Sequence, residues 1–129
     1  MAEMSNYLEN ALINGTLRNT QYTVPTTVYL ALHVADPTDA GTGAEVAQGN
    51  YARQAIAFAA PADGVSLNSA DVTYPVATVN YASAVTHFGI WDAATVGNLL
   101  YHSPVDNART ILVGDQLIVS AGQISVTLA

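Results

Sequence analysis

The chain has 129 residues, no Cys, no Lys, and three Arg against ten acidic residues, for a formal net charge of −7. This excludes disulfides, thiol catalysis and cysteine-ligated zinc, and it leaves no basic face for gripping nucleic acid or an anionic membrane. Half of the residues are hydrophobic, enough for a buried core in one domain.

The first predicted element is a short helix. Asn6 is a candidate cap, with Glu9 three residues on, and Leu8, Ala11 and Leu12 make one apolar face. Asn14-Gly15 is a stop signal, so the helix covers 7–14 and extends at most to Leu17. A helix this short needs a docking surface for its stability. Residues 1–10 carry no basic n-region or apolar h-region, so no secretory leader is expected.

After Pro25 the period becomes two. Val28, Leu30 and Leu32 alternate with Tyr29, Ala31 and His33, which predicts a strand with one apolar face. Asp36 to Asn50 is a loop of about fifteen residues with Asp-Pro and Gly-Thr-Gly turn chemistry, long enough to suggest a contact loop. Strands follow over 53–58, at Val65 and Leu67, and over 72–76, the last placed at an edge by Pro75. Residues 85–91 and 98–103 form a hairpin. Three more strands are expected over 110–113, 116–120 and 123–128. The longest apolar runs, such as 111–113 and 117–119, are far too short to span a bilayer.

The fold class is therefore mainly β: a compact antiparallel β-sandwich or partly closed barrel of seven to eight short strands with one N-terminal helix. We expect a single domain over 1–129, with the helix within 6–17 and the β core over 24–129.

Chemistry-bearing residues are sparse. His33, His87 and His102 sit singly on strands; His87 and His102 can face each other across the hairpin, but the spacing matches no metal motif. Asp36 and Asp39 beside a Gly-rich loop suggest calcium, yet the EF-hand pattern fails and a capped turn explains them better. No nucleophile elbow or phosphate loop is present. No catalytic residue, cofactor or metal is expected. Arg53 opens a strand directly after the long loop; an internal pair with Asp36, Asp39 or Glu45 is favoured over a bond to a neighbouring molecule.

Several segments taken together carry a resemblance. They are Ser5-Asn6-Tyr7-Leu8-Glu9-Asn10, Thr27-Val28-Tyr29-Leu30-Ala31-Leu32-His33, Asp36-Pro37-Thr38-Asp39-Ala40-Gly41-Thr42-Gly43, Glu45-Val46 and Tyr51-Ala52-Arg53-Gln54. Thr86-His87-Phe88-Gly89-Ile90-Trp91-Asp92, Asn98-Leu99-Leu100-Tyr101 and the closing Val113-Gly114-Asp115 and Ala121-Gly122 complete the set. Over nearly its whole length the chain resembles a family of small structural proteins of tailed bacteriophages, commonly labelled tail-fibre-like or minor structural proteins.

The resemblance implies a non-enzymatic virion component, assembled in the host bacterial cytoplasm and present in several copies or as a homo-oligomer. Two positions fit: a decoration or cement protein on the major capsid protein of the head, or a tail-fibre or adaptor component bound to tail proteins. Compactness and the lack of a fibrous repeat favour head decoration. A metal-dependent hydrolase is a remote third reading. The expected contact residues are Tyr7, Leu8 and Leu12 on the helix, Asp36, Asp39 and Glu45 in the loop, and Arg53. The acids suit a basic patch on a neighbour.

Overall fold

The structure, a computed structural model, describes residues 2–128. Strand β1 (Glu3–Met4) leads into helix α1 (Asn6–Leu17), followed by β2 (Val28–His33) and β3 (Gln54–Ile56). Next come β4 (Val65–Leu67), β5 (Val72–Thr73), β6 (Val85–Trp91), β7 (Leu99–Arg109), β8 (Ile118–Val119) and β9 (Ser125–Thr127). Five strands form an antiparallel sheet in the order β1-β7-β6-β2-β3. Two antiparallel ribbons, β4-β9 and β5-β8, are not hydrogen-bonded into it but pack against the same core, and no barrel closes among the described residues.

Alternation along β2 and β6 divides the sheet into two faces. On one, Leu30, Leu32, Phe88 and Ile90 join a core with Val72, Tyr74, Tyr81, Ile111 and Ile124. Tyr74 is buried there and donates its hydroxyl to Leu30 O at 2.6 Å. On the other, Ala31, Trp91 and Leu99 form a smaller cluster. Ala31 and His33 are as deeply buried as Leu30. The second face of β2 is thus not a solvent face, contrary to the sequence expectation. The cause is the long loop, whose Ala44 O and Val46 N–H bond to Val34 N–H and Leu32 O at 2.9 Å.

Three other expectations are corrected. The helix is capped by Ser5, not Asn6: Ser5 Oγ accepts from Leu8 N–H at 3.2 Å, and the helix runs through Gly15 to Leu17. It ends where left-handed Asn19 (φ +52°) lets Thr20 N–H bond Asn14 O at 3.0 Å. The strand expected over 72–76 stops at Thr73, because Tyr74 turns into the core and Pro75 has no N–H for a ladder. Residues 110–113 form no strand. Their backbone is taken up in turns: Leu112 N–H bonds Asp115 Oδ2 and Val113 N–H bonds Asn80 Oδ1, leaving only Ile111 buried. In exchange β7 runs on to Arg109, with a register shift that sets Pro104 opposite His87 and Arg109 opposite Val85. With β1 ahead of the helix, nine strands are described rather than seven or eight.

Candidate functional site

The second face of the sheet gathers the polar chemistry of the chain. β2 and β6 pair with Ala31 opposite Gly89 and His33 opposite His87, and β6 and β7 pair with Gly89 opposite His102. Gly89 is required by its neighbours. A Cβ there would meet Leu99 Cδ1 and the Trp91 Nε1 at 2.9 Å and His33 Nε2 at 3.0 Å. That free space lets Trp91 Nε1–H donate to His33 Nε2 at 3.3 Å, with the rings stacked 6.1 Å apart. His33 Nδ1 faces Gly43 O at 3.3 Å, so the tautomer that satisfies both contacts carries its proton on Nδ1. Burial holds the His33 pKa below the ordinary value and keeps the ring neutral.

Trp91 also carries the Arg53 guanidinium, 4.1 Å from its ring centroid. Arg53 is buried, with only 7% of its side chain exposed, and every guanidinium nitrogen is bonded. Nε and Nη2 donate to Glu45, the latter at 2.8 Å, and Nη1 donates to Ala93 O and Val96 O. Tyr51 adds a third donor to Glu45 at 2.7 Å, while its oxygen accepts Leu32 N–H. Burial alone would raise the Glu45 pKa, but the hydrogen bonds from Arg53 and Tyr51 outweigh it and hold the carboxyl below its ordinary value. Burial raises the Tyr51 hydroxyl, so it remains a donor. Arg53 and Glu45 therefore pair with each other and lock the start of β3 to the long loop and the β6–β7 turn.

The loop is stitched down, with Pro37 and Val46 buried. Asp36 Oδ1 accepts Thr38 N–H at 2.8 Å, an Asx-type capped turn. Asp39 O accepts the first helical N–H, from Asn6, at 3.0 Å, which joins loop to helix. Asp36 and Asp39 keep side chains that are 57% and 51% exposed, and Glu45 faces inward. The histidines do not converge as one site. His33 pairs with Trp91, His87 Nδ1 lies 2.9 Å from Thr86 Oγ1, and His102 Nε2 lies 2.9 Å from Asp39 Oδ1. His87 stands opposite Pro104 and not His102.

The helix docks lightly. Leu8 is buried at 4% exposure, Ala11 and Leu12 are half-buried, and Tyr7 is partly exposed and stacks edge-on against Tyr22. Ile13 and Leu17, one turn apart, are 53% and 78% exposed. These two apolar residues were not among the expected contacts. Their i, i+4 spacing was visible, but the stripe through Leu8 and Leu12 was the stronger signal. A cleft of about 890 Å³ lies elsewhere, between the end of β7 and the C-terminal ribbons; its walls include Phe88, Asp106, Arg109 and Gln123, with no His or Glu among the described residues that line it.

Among the described residues no helix is long and apolar enough to cross a membrane. A comparison with curated proteins finds no match. Residues 3–127 match the family model described as podophage GP4 fiber I protein gp80; the chain belongs to this family of phage fibre-type structural proteins.

Proposed function

We propose that this chain is a non-enzymatic structural unit of a tailed-phage virion, built into the fibre apparatus through the face that carries α1 and the long loop. The observation that carries this reading is the family match over 3–127, whose description is that of a podophage fibre protein. The geometry supports it. The buried His33 and the largely buried Glu45, Arg53 and Tyr51 are bonded to one another or to backbone, which serves rigidity. Tyr7, Ile13 and Leu17 leave apolar surface exposed on α1, and Asp36 and Asp39 leave acidic side chains exposed on the long loop, both kinds of group that contact surfaces use. The partners on this reading are other virion proteins, and the place of action is the particle.

Head decoration is a second reading. It is favoured by the compact architecture and the lack of a fibrous repeat, and its partner is the major capsid protein. Copy number separates the two. In purified particles, quantitative mass spectrometry scaled to the major capsid protein should find a few dozen copies at most for a fibre component. Hundreds of copies would place the protein on the head. Its absence from washed particles would overturn both.

A further inference from the structure

Glu3, Asp39 and His102 come from three separate segments: β1, the long loop and β7. Glu3 stands directly opposite His102 in the β1–β7 ladder, so both side chains rise from the same face of the sheet. Asp39 is delivered over them by the loop, whose backbone is fixed by the bond from Asn6 N–H to Asp39 O. One carboxylate oxygen from each acid and one imidazole nitrogen all lie within 4.8 Å of one another. The cluster is more than a set of surface acids. The His102 ring is buried, with 5% of its side chain exposed, and its Nε2 points at Asp39 Oδ1 at 2.9 Å. On the far side of the ring, Asp36 Oδ1 stands 3.6 Å from Nδ1 and is itself held by Thr38 N–H.

We propose that Glu3, Asp39 and His102 bind a zinc-type divalent cation, with Asp36 as the positioning residue behind the imidazole. One imidazole nitrogen with two carboxylates is a donor set suited to zinc and its neighbours in the first transition row. Calcium and magnesium prefer oxygen alone. Ligand bonds of about 2.0–2.1 Å place tetrahedral ligand atoms about 3.4 Å apart. To reach that spacing the half-exposed Asp39, whose Oδ1 is 2.9 Å from Nε2, must draw back by about 0.5 Å to admit the ion, and the exposed Glu3 must close in, neither movement disturbing the buried ring. Binding requires Nε2 to present its lone pair and Nδ1 to carry the proton. Asp36 Oδ1, 3.6 Å away, stands just beyond hydrogen-bond distance; a small approach would let it accept from Nδ1–H and complete the carboxylate–histidine–metal arrangement that fixes ring orientation in metal sites. The fourth position faces solvent, open to water or to a side chain of a virion neighbour. The ion would tie the N-terminal strand to the loop and to β7.

The test is calorimetric titration of the full chain with zinc chloride, with calcium and magnesium chlorides as comparisons. The expected result is one zinc per chain, at least tenfold tighter than calcium, and a thermal midpoint that rises with added zinc. Glu3→Gln and Asp39→Asn should each weaken zinc at least tenfold and cancel the thermal shift, and Asp36→Asn should weaken it by about tenfold or more. His87→Gln should bind as the parent does. Glu3 is exposed, so its variant folds and keeps the test decisive even if His102→Gln does not fold. No one-to-one binding, or binding that Glu3→Gln and Asp39→Asn leave unchanged, would overturn the site.

Discussion

His33 and Glu45 sit in one buried lattice, and both make the fold sensitive to acid in the same direction. Burial holds His33 below its ordinary 6.5, so just under that value the unfolded chain carries a proton that the folded chain refuses. Stability contributed by the neutral ring is complete above 6.5 and is lost as pH falls through the window between 6.5 and the depressed folded value. The slope for one such proton is at most about 1.4 kcal/mol per pH unit. Glu45 acts in a lower window. Its carboxyl, bonded by Arg53 and Tyr51, is held below 4.5, so its contribution is intact above 4.5 and lost as pH falls through the folded value. Urea unfolding across a pH series should show stability falling in two stages on acidification. His33→Gln should flatten the upper stage and Glu45→Gln the lower. A profile unchanged by His33→Gln would show that the ring is not the acid-sensitive group. Little of this was legible beforehand. An internal acidic partner for Arg53 was legible, but only as one of Asp36, Asp39 and Glu45, and the fold selects Glu45. The pairing of His33 with Trp91 joins residues on different strands and depends on the absent side chain of Gly89, which no periodicity records.

At the scale of elements, what could be read tracks how much pattern each element contains. β2 alternates over six residues and β6 from His87 to Trp91, with a register shift between Val85 and His87, and both appear where the sequence pattern puts them. β1 is two residues with no pattern of its own. Its pairing is imposed by the junction that follows: Ser5 N–H bonds Leu100 O at 2.9 Å, and Ser5 Oγ donates to Leu99 O. Ser5 therefore performs two tasks from one nearly inaccessible hydroxyl, capping α1 and fixing β1 and α1 to β7. Asn6 and Ser5 are both good capping residues, and only the tertiary bond to Leu99 O separates them. Ser5→Ala removes the cap and leaves a buried carbonyl without its donor. The expected loss is about 1–3 kcal/mol in urea unfolding. A change below about 0.5 kcal/mol would mean that the hydroxyl is not the anchor.

For the whole molecule, the sheet's two covered faces differ in what covers them. One is buried under a broad apolar core, and the other is closed by a bonded loop and a helix that buries only Leu8 fully. A helix of twelve residues with so little buried surface gains little from its own chain, and Ile13 and Leu17 remain in water. On the proposed function these residues are covered in the particle. Replacing both with Gln keeps good helix formers on an exposed face, so stability should stay within about 0.5 kcal/mol of the parent. Incorporation into particles should nevertheless fall, because two exposed apolar anchors are gone. Asp36→Ser with Asp39→Ser removes charge from the loop beside the helix N-terminus and should weaken attachment less, with a stronger effect at low salt. The measurement is occupancy in purified particles assembled with each variant, normalised to the major capsid protein. A second exposed apolar group, Val76, Val79, Leu112 and Val113, lies where residues 76–81 bond to residues 111–115. Full occupancy of the Ile13→Gln, Leu17→Gln variant, together with loss on replacing Val79 and Val113 by Ser, would move the contact to that group. The helix would then serve only to fasten the loop.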